Sequence, residues 1–447
     1  MIMINRSLNW IKKHTTGTLD AMYEEVMISG VSIDSRNIHE GVLFIPFKGE
    51  HVDGHKYVAD AIDKGAYAAL WQRDAGEVPR DLPVIVVEDT LTALQQLSKA
   101  YLKEVDPKVI AVTGSNGKTT TKDMIEAVLS PHFKVKKTQG NYNNEIGLPL
   151  TLCQLDEDTE ISILEMGMSG FGEISLLSHI AEPHIAAITN IGESHMRDLG
   201  SREGIAKAKY EITDGLTGPL FYDGDEALLK PLVKDNKDAH RIGFNEDNEY
   251  YIHEMIMQDH HLQFKVNDDT YIVPTLGSHN ARNATIAIAI GSYLGLSPEQ
   301  INHSLQQLEL TGMRMEQLEG KDGALLINDA YNASPTSMKA AIDTVSQMDS
   351  EVKIIVFGDV LELGEDEVMY HEQVGAYLQG KQIDYVFTTG NAARHISKAA
   401  EPFTTVQHFD TKEALTNHLK GMLNAHTSVL FKASRGMKLE TIINELL

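Results

Sequence analysis

Residues 109–120 read Val-Ile-Ala-Val-Thr-Gly-Ser-Asn-Gly-Lys-Thr-Thr, and a helical pattern continues from there to Leu129. An apolar strand that runs into a glycine turn at a helix N-terminus aims backbone N–H groups and the positive end of the helix dipole at one point. A polyphosphate suits that point. Gly114, Ser115, Asn116 and Gly117 would form the turn, Lys118 would add a movable positive charge, and Thr119 or Thr120 would offer a hydroxyl to Mg²⁺. The common Walker spacing would place a glycine at position 112, where Val112 stands. The assignment therefore rests on the strand before the turn and the helix after it as well as on the motif.

Outward from this loop, apolar runs at 161–166 and 185–191 fit further strands of a parallel sheet covered by helices. Residues 250–273 alternate around Asn267-Asp268-Asp269, which predicts antiparallel hairpin strands added to that sheet, and 283–294 reads as a buried helix. Upstream, short strand-like runs at 31–33, 42–46 and 83–87 accompany a helix-like segment, 57–64, closed by Gly65. A second helix is predicted over 90–103, where Leu91, Leu94, Leu97 and Leu102 recur at near-helical spacing before Asp106-Pro107 stops it. After Gly312, strand runs at 325–328, 353–357, 385–388 and 428–432 start a second α/β series. The expected fold class is α/β in three domains: a small mixed α/β domain (1–88), a central P-loop ATPase-like domain with a parallel sheet (89–312) and a C-terminal Rossmann-like domain (313–447).

The composition agrees with a folded chain of that size: 447 residues, 42% hydrophobic and 23% charged, with 34 Gly and 13 Pro in no low-complexity tract. Lys plus Arg number 39 against 64 Asp plus Glu, a formal net charge of −25. Such a field repels polyanions, so a nucleic-acid partner is not expected, while a local cationic pocket for a small anion is compatible with it. The single cysteine, Cys153, forms no internal disulfide, residues 1–14 carry no apolar leader segment, and no apolar stretch approaches the ~20 residues of a membrane span. A cytoplasmic protein that engages no membrane and acts as a monomer is the expectation.

The loop also belongs to an ordered set of motifs. These are Ser32-Ile-Asp-Ser-Arg36, Lys48-Gly-Glu, Asp53-Gly-His55, the 113–120 loop, Gly140-Asn-Tyr-Asn-Asn-Glu-Ile-Gly147, Glu165-Met-Gly167, Thr189-Asn-Ile-Gly-Glu-Ser-His195, Ala206-Lys-Ala-Lys209, His279-Asn280 with Asn283, Gly312-Met-Arg314 and Asn328-Asp-Ala-Tyr-Asn-Ala333. In this order, over nearly the whole length, the chain resembles the Mur ligase family, the ATP-dependent amide-forming enzymes of peptidoglycan precursor synthesis. Within the family, Asp329-Ala-Tyr-Asn-Ala-Ser-Pro335 and Gly358-Asp-Val-Leu-Glu-Leu-Gly364 followed by His371 look most like the branch that adds D-alanyl-D-alanine to UDP-N-acetylmuramoyl-tripeptide. Two positions depart from the pattern: Ser278 where a basic residue is usual, and Ala433 where a glycine is usual before Ser434-Arg435-Gly436.

The resemblance implies that the tripeptide carboxylate takes the γ-phosphoryl group of ATP to give an acyl phosphate, which the dipeptide amine attacks, releasing ADP and phosphate. Two anions must first approach; at ~4 Å and an effective dielectric of ~20 each unit-charge pair repels by about 4 kcal/mol, so cations are needed. It implies ATP contacts from the 114–120 loop, Asn283, Arg314 and Asp329, and two Mg²⁺ ions held by Thr119, Glu165, His195 and a carbamylated Lys209. Nineteen histidines are present, so the motif, not the residue type, singles out His195; Lys207 competes with Lys209. Lys118, Arg314, His195 and Lys209 would form the catalytic set. Ser35, Arg36 and Lys48 would contact the UDP moiety, Asn143 and Asn144 the reacting carboxylate, and Tyr331, Asn332 and Arg435 the dipeptide; for Arg435 a surface ion pair is an equal explanation. His260-His261 reads as surface. Two rivals remain open: another amide ligase of the same fold, such as MurE or a folylpolyglutamate synthetase, and a regulatory P-loop ATPase that would hydrolyse ATP without an acceptor.

Overall fold

The strand that feeds the glycine turn, Lys108–Thr113, is buried from its second residue onward and lies inside a sheet. The computed structural model describes residues 3–49, 52–193, 196–258 and 261–447. Among these residues, parallel pairing joins the strands 135–137, 161–165, 108–113, 185–188, 220–223, 239–243 and 250–258 in that spatial order. The meander 250–258, 261–266 and 269–273 then extends the same sheet by antiparallel pairing, turning at Asn267, which adopts φ +53°. The hairpin reading thus holds. Strands 220–223 and 239–243 were not anticipated: they are short, and their flanks are rich in Asp, Lys and Asn, which mask the apolar runs.

Register places the chemistry. Val112 pairs with Glu165, and Ile188 pairs with Thr113. Three strand carboxyl ends therefore converge where ligands bind in α/β sheets. The helix Lys118–Leu129 runs back over the sheet and packs on Ser278–Tyr293, which begins five residues earlier than the apolar run suggested because Gly277, at φ +91°, starts it. Residues 280–281 and 283–291 of that helix are buried, which explains its Ala/Ile composition.

Toward the N-terminus, strands at 31–32, 43–44, 68–72 and 84–87 form a parallel sheet, and Asn5–Ser7 pairs with Met27–Ser29 in a separate ribbon. The helix Thr90–Val105 links this module to the central one. Asp89 caps its first turn, and it ends at Asp106 in the left-handed conformation, just before Pro107. Its buried face carries Ala93, Leu94, Leu97, Tyr101 and Leu102 in one core with residues of both modules. Toward the C-terminus, strands 316–319, 325–328, 427–432, 352–357, 385–389 and 405–409 form the last sheet, parallel apart from the edge pair 316–319 with 325–328. Among the described residues, no helix is long and apolar enough to cross a membrane.

Leu97 is fully buried where the first two modules share their core. Leu97→Ala is expected to cost about 2–5 kcal/mol, read as a lowered urea midpoint; an unchanged midpoint would mean that this helix does not tie the modules together.

Candidate active site

The turn after Lys108–Thr113 is fixed by the strand beside it. Thr189 N–H donates to Thr113 O at 2.9 Å, Ser115 N–H to Asn190 O at 3.0 Å, Asn116 N–H to Asn190 Oδ1 at 2.9 Å, and the Thr189 hydroxyl to Asn116 O at 2.5 Å. Residues 189–191, expected as strand, leave the sheet after Ile188 because they hold the turn. Gly114 has φ +152°, and a Cβ on it would stand 1.8 Å from Thr189 Oγ1; Gly117 has φ +82°, and its Cβ would stand 2.6 Å from Asn283 Oδ1. Both positions therefore require glycine.

The helix that starts here delivers three side chains. Lys118 folds back and donates to Gly114 O at 2.9 Å. Thr119 donates its hydroxyl to Glu165 Oε2 at 2.9 Å, while Asn143 Nδ2 donates to Glu165 Oε1 at 2.8 Å. Lys122, one turn after Lys118, lies 3.6 Å from Glu165 Oε2. Burial pushes the Glu165 carboxyl up, but Lys118 and Lys122, with the two hydrogen bonds, outweigh it and hold it below the usual carboxylate range. Burial also lowers both lysines, against the pull of Glu165.

The C-terminal module reaches across to this loop. Arg314 Nη2 donates to Thr119 Oγ1 at 2.8 Å, and its guanidinium stacks 4.2 Å from the Tyr331 ring centroid. Its neighbours Met313 and Met315 both adopt positive φ, at +63° and +53°. The Ser334 hydroxyl donates to Asn116 Oδ1 at 3.1 Å, and the Thr336 hydroxyl to Glu193 Oε2 at 2.5 Å. Before this junction, Thr311 N–H donates to Asp123 Oδ2 at 2.9 Å.

These elements enclose a cleft of about 1010 Å³. Its walls bring together Ser115, Asn116, Gly117, Lys118, Thr119, Thr120, Asn143, Asn144, Glu165, Lys209, Asn283, Arg314, Asp329, Tyr331, Asn332 and Arg435. Lys209 is 2% exposed, and burial, then Lys118, pull its amine well below its ordinary value. Lys207 is exposed and off the cleft wall, which separates the two candidates. Asp329 accepts from Lys432 Nζ at 2.5 Å, and Arg435 pairs with Glu440 at 2.8 Å, so the ion pair foreseen for Arg435 is present although the residue also faces the cleft. Ser35, Arg36 and Lys48 are not on this wall. Arg36 is exposed and paired with Asp34 at 2.9 Å, and Ser35 O accepts from Lys64 at 3.0 Å. His195 and His260 lie outside the described residues; His261 is half-buried at the head of its strand and off the cleft wall.

The cleft also contains groups that sequence reasoning missed. Lys432 ends the central strand of the last sheet, a strand-end position that is itself a signal. Asp223 likewise ends Leu220–Asp223 and pairs with Arg282 at 3.2 Å. Asn116 Nδ2, His279 Nδ1 and Arg314 Nε are buried without hydrogen-bond partners. Burial takes the His279 imidazole down to about 4, so it is neutral at pH 7.

Burial raises the Asp223 carboxyl to about 6 despite Arg282. The folded state then binds a proton more tightly than the unfolded chain, so ionised Asp223 subtracts stability as pH climbs from about 4 to about 6, by up to about 3 kcal/mol. The stability of Asp223→Asn relative to the parent is expected to rise across that window in urea titrations; a flat or falling difference would contradict the assignment.

Comparison with known proteins agrees with this geometry. Residues 27–102 match the model for the Mur ligase family catalytic domain, 112–291 the Mur ligase middle domain and 313–435 the Mur ligase glutamate ligase domain. The chain is 47% identical, over 100% of its length and 99% of the relative's, to the UDP-N-acetylmuramoyl-tripeptide--D-alanyl-D-alanine ligase of Bacillus subtilis (strain 168). Its fold is similar to that of MurF from Acinetobacter baumannii, at a TM-score of 0.91 and 30% identity, covering 100% of this chain and 99% of the other. MurF ligase from Thermotoga maritima in complex with ADP is similar at a TM-score of 0.85 and 28% identity, covering 93% and 96%. With the loop, the buried glutamate and the cross-module arginine arranged as described, and with relatives that match it from end to end, the chain belongs to the Mur ligase family.

Proposed function

We propose that the chain joins D-alanyl-D-alanine to UDP-N-acetylmuramoyl-tripeptide, using ATP to activate the tripeptide carboxylate as an acyl phosphate and giving the UDP-linked pentapeptide, ADP and phosphate. The observation that carries this reading is the convergence of Lys118, Glu165, Lys209 and Arg314 on one cleft in a chain whose 47% identical full-length relative is named for that reaction. The ADP complex of the Thermotoga maritima relative supports ATP as the phosphoryl donor.

The partnerless polar atoms of Asn116, His279 and Arg314 fit a nucleotide, which offers each an acceptor or donor. In this reading the 114–120 loop and Lys118 hold the phosphates, Asn283 sits beside the loop on the base side, and Arg314 spreads positive charge over the transferring group. Thr119 and Glu165 supply two adjacent hard oxygens, a donor set that suits Mg²⁺ completing its shell with phosphate oxygens and water. Bound there, the cation would neutralise charge as two anions meet. Burial favours the free amine of Lys209, the form that adds CO₂ with loss of a proton, and the resulting carbamate would be a second anionic metal-binding group, with His195 as a further ligand. Asn143 and Asn144 would orient the tripeptide carboxylate, and Tyr331, Asn332 and Arg435 the dipeptide. Residues 1–88 would bind the UDP moiety through Ser35, Arg36 and Lys48, 89–312 would bind ATP, and 313–447 would present the incoming amine. We place the reaction in the cytoplasm, in a monomer, where its soluble substrates meet.

The dipeptide's α-amine, with a reference pKa of about 7.7–8.0, is partly free base at neutral pH. Positioning and charge neutralisation then account for most of the acceleration.

ATP, UDP-tripeptide and D-alanyl-D-alanine together are expected to yield the UDP-pentapeptide by mass spectrometry, with ¹⁸O from the tripeptide carboxylate appearing in released phosphate. Phosphate release that proceeds at full rate without the dipeptide would instead favour a P-loop ATPase. Lys118→Ala should lose on the order of 10²-fold or more in kcat/KM; near-normal turnover would discredit the phosphate-loop assignment. With ¹³C-bicarbonate, a carbamate resonance should appear in the parent and be missing from Lys209→Arg.

A further inference from the structure

Lys122 has no part in the chemistry above, yet it is one of the largest fully buried side chains in the molecule. The helix Lys118–Leu129 sets it one turn after Lys118, on the same face. Lys118 lines the cleft; Lys122 does not, and its side chain is 2% exposed behind the cleft wall. Its ammonium donates to Thr138 O at 2.8 Å and stands 3.6 Å from Glu165 Oε2, while Thr138 Oγ1 accepts the Glu165 N–H at 3.0 Å. Lysine, Thr138 and Glu165 thus close a ring of contacts around the end of one strand. Asp123, the next carboxylate along the helix, is engaged by Lys137 at 2.7 Å and by Thr311 N–H at 2.9 Å. A position needing only volume would be filled by an apolar residue, since a buried ammonium is costly without a purpose for its charge.

We infer that Lys122 is a positioning residue for Glu165: its ammonium is the fixed counter-charge that keeps this carboxylate aimed at Thr119 when Lys118 turns from the glycine loop to the phosphates. Two lysines then have separate tasks. Lys118 is exchangeable between protein and nucleotide; Lys122 stays. The inference rests on the reading of Glu165 and Thr119 as the oxygen pair that takes Mg²⁺.

The test is the coupling between ADP and Mg²⁺ binding, measured by calorimetry on the full chain, together with steady-state kinetics. Lys122→Met keeps the volume and removes the charge. It is expected to raise the Mg²⁺ concentration for half-maximal tightening of ADP binding at least fivefold and to lower kcat at least tenfold. KM for the UDP-tripeptide and the dipeptide, and ADP affinity in EDTA, should stay within twofold. In a Glu165→Gln background the same substitution should shift the Mg²⁺ dependence no further. A purely structural lysine would lower the unfolding temperature and leave the Mg²⁺ dependence unchanged, and that result overturns the inference, as does a full additional shift in the Glu165→Gln background. Should Lys122→Met not yield folded protein, Lys122→Gln, which can still donate to Thr138 O, replaces it in both measurements, and the same shifts support or overturn the inference. Failure of the parent chain to make the UDP-pentapeptide would sink the proposed reaction, whereas the calorimetric coupling judges Lys122 independently of turnover.

Discussion

A carboxylate buried between two ammonium groups sets the terms for the rest of the cleft. Glu165 is 3% exposed, and water cannot stabilise its charge. Lys118 and Lys122 do so, with Thr119 and Asn143 taking up its oxygens. That arrangement exists because Val112 pairs with Glu165 across adjacent parallel strands, so a one-residue slip would turn the carboxylate to the other face of the sheet. The core residues beneath, Ile110, Val112, Ile163 and Ile185, lock that register. Packing and electrostatics are coupled here: the apolar layer fixes where the charges stand, and the charges are tolerated because they are paired.

The same logic joins the modules. Arg314 is an arginine of the C-terminal module whose hydrogen bond is to Thr119 of the central one. Left-handed Met313 and Met315 on either side of it hold a backbone course that non-glycine residues adopt only at some energetic cost. The Tyr331 ring and the Thr119 hydroxyl compensate by fixing the guanidinium. Ser334 to Asn116 and Thr336 to Glu193 add further polar contacts between the two modules, so the site is assembled from both sheets.

The loop, its strand and its helix were legible in the sequence because the physics there is local: glycine where φ is positive, threonine at a helix start, apolar residues in a central strand. The antiparallel meander was legible for the same reason, through alternation and a turn at Asn267. Strands 135–137, 220–223, 239–243, 316–319 and 405–409 were not, because each is short and borrows its stability from neighbours rather than from its own pattern. Among site residues, those of the 115–120 loop, Asn143, Asn144, Glu165, Lys209, Asn283, Arg314, Asp329, Tyr331, Asn332 and Arg435 meet at the cleft, while Lys122, Asp223 and Lys432 were missed. Their roles depend on what lies across a strand or one helical turn away, and no single segment carries that information. Ser35, Arg36 and Lys48, expected at the UDP moiety, stand apart from the cleft wall.

The chain carries −25 formal charges, and Lys118, Arg282, Arg314 and Lys432 face one cleft among Glu165, Asp223, Glu226 and Asp329. An approaching polyanion therefore meets repulsion at long range and finds cations only as individual side chains inside the cleft. Mobile ions attenuate the outer field over about 8 Å at physiological ionic strength but reach buried pairs much less. Moderate salt should consequently speed the encounter with a nucleoside triphosphate, the reverse of the usual steering of ligands by an oppositely charged surface. An acidic exterior wrapped around a few enclosed cations makes the solvent's ions part of the entry path.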